Sequence, residues 1–213
     1  MTQIDVFSLP FSYWVGMDTD PRTPSEALAE FNHFYSTTHV GEVVAAHPGF
    51  VGGSRYELVA TESPHTALSG PRWLAVYGMA DEAAAVQYLK DNERPWLHRR
   101  KYSPWPPARK RAKTVWRMLW RSTASTGSLT RPTELALLLG LNDAPELAVL
   151  PGYGRATCLE LYRGFEPKES GAPRVCVIHE SDREQSPTDL PSTRDERVEA
   201  QWRLQYRRIP LPE

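Results

Sequence analysis

The sequence predicts an α+β protein built from two ferredoxin-like units in tandem, whose antiparallel sheets pack face to face. In the first half of the chain, the hydrophobic periodicity follows the order β-α-β-β-α-β, which is the split βαβ arrangement of ferredoxin-like folds. In the second half, short segments repeat parts of the first half in the same order, as duplicated units do. Helices cover only one face of such a sheet, so we expect the two bare faces to meet and to enclose a pocket.

Each element of the first half follows from a local pattern. A first strand is predicted over residues 3–16 with a break or bulge at Pro10, because proline cannot donate to a strand ladder. Ser25 is a favourable N-cap for a helix over about 26–46, which Pro48 and Gly49 end. The remaining elements are two alternating strands, a helix with an acidic first turn and a closing strand, with the sequences FVGGSRYELVAT, RWLAVYGMA, DEAAAVQYLKDNE and TVWRMLWRST.

The second half repeats this order in three places. HPGFVGGSRYELV is matched by LPGYGRATCLELY, PRWLAVYGMAD by PRVCVIHESD, and VWRMLWR by QWRLQYR. The stretch SPTDLPSTRDERVE leaves little room for a second helix in this half, and no clear first strand precedes the first match. We therefore predict a first repeat at residues 1–125 that carries the functional site, and a degenerate second repeat at 126–213.

Composition and charge are those of an ordinary globular protein. The 213 residues are 40% hydrophobic and 24% charged with a formal net charge of -1, which gives no reason to expect nucleic acid as a partner. Two cysteines, Cys158 and Cys176, are too few for a disulfide framework, and the histidines follow no metal-ligand spacing. No signal peptide pattern and no run of about 18 apolar residues occurs, so we expect a cytoplasmic protein without a membrane partner.

A histidine on the packing stripe of the first helix is the main functional candidate. Spacings of three and four residues put one set of side chains on the same helix face, namely Leu28, Phe31, Tyr35, His39, Val43 and Ala46. Glu42 stands three residues after His39 and can reach its imidazole. A carboxylate in that position fixes the tautomer and raises the pKa of the histidine, which suits general acid or base chemistry. The alternative is a structural histidine that hydrogen-bonds Glu42 or a neighbouring strand.

The stretch FNHFYSTTHVGEVVAAHPGF resembles the signature of the EthD-like group of dimeric α+β barrel proteins. Tyr35, His39, Pro48, Gly49 and Phe50 fit that signature, and SRYEL followed by PRWLAVYGM fits its next two strands. The resemblance implies a dimeric α+β barrel and a cofactor-free enzyme that rearranges, cyclises, dehydrates or decarboxylates small aromatic or polyketide-like molecules, with His39 in proton transfer. Other members are cofactor-free monooxygenases or haem-related proteins. Since most relatives are dimers of single units, we expect either a monomer with an internal pseudo-dimer or a homodimer.

Aromatic side chains are plentiful enough to line a pocket. Strand alternation puts Trp73 and Tyr77 on one face of the third strand, and Trp116 and Trp120 on one face of the fourth, without saying which face meets the helices. An apolar, aromatic cavity with a few polar groups is the usual form of a small-molecule site. The predicted substrate-binding residues are Tyr13, Trp14, Tyr56, Trp73, Tyr77, Trp116 and Trp120.

The loop HRRKYSPWPPARKRAK at residues 98–113 combines seven basic residues with Tyr102 and Trp105. Such a segment can bind single-stranded nucleic acid or a phosphate-bearing ligand. A long loop beside a barrel mouth can also act as a lid. The balanced net charge favours a third reading, a solvated loop stiffened by prolines.

These features together predict a cofactor-independent lyase or isomerase that acts on a small hydrophobic molecule of aromatic or polyketide-like character. His39 is the expected general acid or base, Glu42 orients it, and Tyr35 donates a hydrogen bond to a carbonyl or phenol oxygen. No metal and no cofactor is expected. Two alternatives stay open: a non-enzymatic protein that binds a small molecule or haem, and a cofactor-free monooxygenase.

Overall fold

The protein is built around a closed barrel of eight antiparallel strands, in a computed structural model that describes residues 4–62, 70–93, 102–164, 173–183 and 202–211. The strands in chain order are β1 (Phe11–Thr19), β2 (Phe50–Glu62), β3 (Trp73–Met79), β4 (Ala112–Gly127), β5 (Leu135–Leu141), β6 (Arg155–Gly164), β7 (Val175–Ser181) and β8 (Trp202–Ile209). Around the barrel they are hydrogen-bonded in the order β1-β3-β2-β8-β5-β7-β6-β4, and β4 pairs with β1 to close the sheet.

The helices of the described residues all belong to the first half of the chain. The first helical run consists of α1 (Ser25–Phe34), a π-helical turn (Tyr35–His39) and α2 (Val40–Ala46), and α3 (Glu82–Glu93) follows β3. Short 3-10 helices at Val6–Ser8 and Pro107–Arg111 precede β1 and β4. None of the helices in the described ranges is both long and apolar enough to cross a membrane.

The predicted pair of ferredoxin-like units is wrong, and so is the resemblance to the EthD-like dimeric α+β barrel group. The two halves do not form two sheets packed face to face, because β2 pairs with β8 and β4 pairs with β6. These ladders pair the backbone groups that two separate sheets would leave at their edges, so a single sheet closes on itself. From residue 126 onward, the described residues contain strands and no helix, whereas a ferredoxin-like unit needs two.

The individual helices and strands were predicted better than the fold that they form. The long helix, the two strands after it and α3 are confirmed within a few residues of their predicted ends. The first strand differs, because Val6–Ser8 is a 3-10 helix and the strand begins only after Pro10. The first strand of the second half is β5, in which every residue is buried, so no alternation of polar and apolar residues marks it. The stretch SPTDLPSTRDERVE lies outside the described residues, and the division at residues 125 and 126 stays a prediction.

Packed side chains fill the barrel interior, where the pocket between two sheets was expected. The inward-facing residues form one buried cluster, namely Trp14, Tyr56, Leu74, Val76, Met118, Trp120, Ala136, Leu138, Leu159, Cys176, Ile178, Trp202, Leu204 and Tyr206. The ring centroids of Trp14 and Trp120 lie 5.3 Å apart at the centre of this cluster. Val6 and Phe7 of the N-terminal 3-10 helix join the cluster, and the Phe7 ring packs on those of Trp14 and Tyr56.

An ion-pair network ties the N-terminal segment to the barrel. Arg155 donates to both carboxylate oxygens of Glu180 at 2.7 Å and to both of Asp5 at 2.5 and 2.8 Å. Thr133 donates a further hydrogen bond to Glu180 at 2.5 Å. Burial raises the pKa of the Glu180 carboxyl, against the opposing effect of Arg155 and Thr133. Asp5 directly precedes Val6 and Phe7, so this network holds the 3-10 helix against the interior cluster.

Candidate functional site

A cavity of about 370 Å³ lies on the outside of the barrel, between the outer face of β1, β3 and β4 and the segments that cover it. Its volume falls within the range of about 300–1,000 Å³ that ligand pockets usually have. Strand alternation explains its floor: Trp14 points into the barrel, so Tyr13 and Val15 point outward. The lining residues are Tyr13, Val15, Met17, Tyr35, His39, Val43, His47, Tyr77, Tyr88, Tyr102, Trp105, Arg109, Thr114 and Arg117.

The first helical run presents Tyr35, His39 and Val43 to this cavity. Residues four apart drift by about 40° around an α-helix, because one turn takes 3.6 residues. The wider π-helical turn over Tyr35–His39 reduces that drift, so the side chains stay on one side. A π-helical turn inside an α-helix often marks a functional site.

A buried arginine on β2 anchors this helical turn to the sheet. Arg55 is 1% exposed and donates to the carbonyl oxygen of Asn32 at 3.0 Å, to its Oδ1 at 2.8 Å and to Ser36 Oγ at 3.0 Å. Its guanidinium carbon lies 4.3 Å from the centre of the Tyr35 ring, in a cation–π contact. Arg55 therefore fixes the position of Tyr35 from the side opposite the solvent.

Aromatic rings follow one another around the cavity wall. Tyr35 contacts His39 at a centroid distance of 5.1 Å, and His39 contacts Tyr102 at 5.3 Å. On the sheet side, Tyr13 lies 4.7 Å from Tyr88 and 6.2 Å from Tyr77. Such a wall is apolar on the faces of the rings and polar at their hydroxyl groups and ring nitrogens, which suits a flat organic molecule.

His39 is enclosed by aromatic residues on one side and a carboxylate on the other. The Trp105 ring lies 4.3 Å from the imidazole, centroid to centroid, and covers it. Glu42 Oε2 lies 3.7 Å from His39 Nδ1. The other carboxylate oxygen of Glu42 accepts hydrogen bonds from the backbone N–H of Ser103, at 2.9 Å, and from its hydroxyl. Ser103 thus holds Glu42 in place behind the histidine.

The imidazole of His39 is neutral at neutral pH. Burial lowers the pKa of His39 to about 4, and the nearby charges of Arg109 and Arg55 act in the same direction, against the opposing effect of Glu42. We expected Glu42 to raise this pKa, and its effect has that sign, but desolvation outweighs it. Burial alone would raise the pKa of the Glu42 carboxyl, and the hydrogen bonds from Ser103 outweigh that effect and lower it.

This arrangement defines a base. An ionised carboxylate beside Nδ1 favours the tautomer in which Nδ1 carries the proton. Nε2 then keeps its lone pair, and among the described residues it has no hydrogen-bond partner, so a molecule in the cavity can use it. Proton transfer to Nε2 would place the positive charge of the imidazolium next to Glu42, which stabilises it.

Two tyrosine hydroxyls at the floor of the cavity are hydrogen-bond donors. The Tyr77 hydroxyl donates to the Tyr35 hydroxyl at 3.5 Å, which leaves the proton of Tyr35 for another acceptor. Burial raises the pKa of Tyr35 and raises that of Tyr77 well above its usual value, so both stay protonated. The expected role of Tyr35, donation to a carbonyl or phenol oxygen, is compatible with these contacts.

The charged groups that line the cavity are positive. Arg117 donates to the Tyr13 hydroxyl at 2.9 Å and to Asn92 Oδ1 at 3.2 Å. Arg109 donates through Nη1 to the carbonyl oxygen of Ala112 at 2.9 Å, and its guanidinium carbon lies 5.4 Å from the Trp105 ring. No aspartate or glutamate is among the lining residues.

The structure brings together four of the predicted site residues at this cavity and separates the rest. Tyr13, Tyr35, His39 and Tyr77 line it, and Glu42 lies directly behind His39. Trp14, Tyr56 and Trp120 point into the barrel interior, and Trp116 packs against that cluster and stacks on Trp202. Trp73 is on the outer face with Tyr77 but is not a lining residue.

The segment 102–111 supplies site residues that were not among the predicted ones. Tyr102, Trp105 and Arg109 all line the cavity, and Ser103 holds Glu42. The basic loop therefore covers the histidine over these residues, while 98–101 lie outside the described part of the chain. The alternation of aromatic and basic residues in PWPPARKR indicates that the loop can bind a ligand, but it does not indicate which surface the loop contacts.

Within the described ranges, no group of three or more histidine, cysteine, aspartate or glutamate side chains is arranged to hold a metal ion. Cys158 and Cys176 are buried free thiols on opposite faces of the sheet, in the outer cluster of the second half and in the barrel interior respectively. No model of a protein family matches the chain, and no curated protein matches it.

Proposed function

We propose that the protein is a cofactor-independent enzyme that moves a proton on a small aromatic or polyketide-like molecule, in a lyase or isomerase reaction. The observation that supports this most directly is a neutral imidazole inside an aromatic cavity, with an ionised carboxylate 3.7 Å behind it. A buried base of this kind beside protonated hydroxyl donors is a recurring arrangement for proton abstraction next to a carbonyl.

His39 is the general base of the proposed reaction. Its Nε2 takes a proton from an acidic C–H or O–H of the substrate, and Glu42 stabilises the imidazolium that forms. The negative charge left on the substrate moves to an oxygen, where the Tyr35 hydroxyl donates a hydrogen bond to it. The imidazolium then returns the proton to another carbon, which gives an isomer, or to a departing hydroxyl, which gives the dehydrated product and water.

Transfer of a proton can be measured without knowing the natural substrate. We expect the purified protein in D2O to exchange the acidic C–H of small aromatic ketones and β-diketones for deuterium, followed by NMR. His39→Gln should lose this catalysis. The matched control is His33→Gln, which changes an exposed histidine of α1 and should keep the wild-type rate. Equal rates for wild type and His39→Gln would refute the assignment.

The same samples distinguish the alternative functions. Oxygen consumption coupled to turnover would identify a cofactor-free monooxygenase. A strong absorption band of the purified protein in the haem region would identify a haem-binding protein. Ligand binding without exchange at any acidic position would identify a non-enzymatic binding protein. We expect the single chain to be the functional unit, because its own strands close the barrel and its own residues line the cavity.

A further inference from the structure

Arg109 lines the cavity, and most of the N–H groups of its guanidinium are available to a ligand. Its Nη1 donates to the Ala112 carbonyl oxygen, and among the described residues its Nε and Nη2 have no hydrogen-bond partner and its charge has no ion-pair partner. Nε and Nη2 form the edge of a guanidinium that binds both oxygens of a carboxylate in parallel. The side chain is only partly exposed, so a pair formed there would be better shielded from solvent than one at the surface.

The surroundings of Arg109 favour an anion with an aromatic ring attached. Its guanidinium carbon lies 5.4 Å from the centre of the Trp105 ring, and Trp105 in turn packs on His39. A carboxylate on Arg109 would therefore have aromatic walls next to it. Glu42 accepts hydrogen bonds from Ser103 through Oε1, its Oε2 lies beside His39, and among the described residues it forms no ion pair with Arg109.

We propose that the natural substrate is an aromatic carboxylate, whose carboxylate group binds the Nε and Nη2 edge of Arg109 while its ring lies against the aromatic wall beside His39. This inference names the substrate class of the site and rests on the function proposed above. It also gives Arg109 a place in the reaction as a substrate-binding residue.

A bound carboxylate would also make His39 a stronger base. The charge of Arg109 contributes to the lowering of the His39 pKa. A negative charge beside Arg109 opposes that contribution and so acts to raise the pKa of His39, while burial, the largest cause of the lowered pKa, remains. Substrate binding and activation of the base are thus coupled through one charge.

A pair of probes with the same shape tests the inference: 4-hydroxybenzoate and its neutral analogue 4-hydroxybenzamide. Calorimetric titration should show the carboxylate binding about 10-fold or more tightly than the amide to the wild-type protein, which corresponds to one charge-assisted pair. Arg109→Gln should lose this preference and keep its affinity for the amide, and Arg109→Lys should keep only part of the preference.

Arg111→Gln is the matched control, because it removes the same charge from the same segment outside the cavity. The preference for the carboxylate should persist in this variant. The inference is overturned by equal affinities in the wild-type protein, by an unchanged preference in Arg109→Gln, or by no binding of either probe at millimolar concentration. His39→Gln separates the two proposals: it should abolish proton exchange and keep the preference for the carboxylate.

Discussion

The stability of the protein should depend on pH through His39. Burial lowers the pKa of His39 to about 4 in the folded protein, whereas a histidine in an unfolded chain has a pKa of about 6.5. Between these two values the unfolded state binds more protons than the folded state does. The free energy of unfolding therefore falls on acidification from pH 6.5 toward pH 4, and His39→Gln removes this contribution.

The size of the effect follows from the two pKa values. At pH 5, protonation of His39 in the unfolded state lowers the free energy of unfolding by about 2 kcal/mol, against about 0.2 kcal/mol at pH 7. Wild type should thus lose up to about 2 kcal/mol more than His39→Gln between pH 7 and pH 5. This is an upper limit, because the side chain of His39 remains 11% exposed.

Urea unfolding of both proteins at pH 7 and pH 5 measures this difference. The cost of placing glutamine in the cavity cancels, because only the change with pH is compared. His179, whose pKa burial also lowers to about 4, contributes equally to both proteins. His33→Gln should behave as wild type does. An equal loss of stability on acidification in wild type and His39→Gln would show that His39 is not shielded from water as its contacts require.

Three other experiments test the packing around the site and the barrel. Phe7→Ala should lower the free energy of unfolding by about 3–5 kcal/mol in urea titrations, since it empties the interior beside Trp14, and a loss below about 1 kcal/mol would contradict that packing. Arg155→Met should lower the free energy of unfolding by about 3–5 kcal/mol, because it leaves Glu180 buried without its partner. Adding Glu180→Met to this variant should recover much of the loss. An unchanged free energy of unfolding in Arg155→Met would contradict the network. Trp105→Ala should admit water to His39 and raise its pKa toward 6.5 in an NMR titration, and an unchanged pKa would show that Trp105 is not the cause of its burial.

Local structure could be predicted from the sequence because its signals are local. The four-residue spacing of Tyr35 and His39 predicted a shared face, and their rings are 5.1 Å apart. The helical run ends at Ala46, where His47 takes an extended backbone just before the Pro48–Gly49 pair that predicted the stop. Gly49 then takes a φ of 83° in the turn before β2, a backbone conformation that glycine adopts readily. These outcomes need no knowledge of distant parts of the chain.

The closure of the sheet could not be predicted in the same way. Alternation within a strand shows that two faces differ, but it does not say which strand pairs with which. The ladders that close the barrel join β2 to β8 and β4 to β6, so they connect the two halves of the chain. The choice between one closed sheet and two packed sheets is a choice between strand partners, and local hydrophobicity is the same in both.

The site itself depends on contacts between distant residues. Glu42 and Ser103 are 61 positions apart in the sequence. Trp105 contacts His39 from a loop whose composition is typical of a solvated segment. Arg55 lies in a strand where an arginine is expected to point to solvent, yet it is buried under the helix because Asn32 and Ser36 accept its hydrogen bonds. The dominance of burial over Glu42 in the pKa of His39 could not be predicted, because the residues that cover the imidazole come from that loop.

The pH dependence of deuterium exchange tests the central claim, that His39 acts as the base, most directly. The value of kcat/KM reports the ionisation of the free enzyme, so exchange should be constant from about pH 8 to pH 5 and should fall about 10-fold per pH unit below about pH 4. His39→Gln should abolish the exchange at every pH. A decline centred near pH 6.5, or exchange that persists in His39→Gln at the wild-type rate, would contradict the claim that a buried, neutral His39 takes the proton.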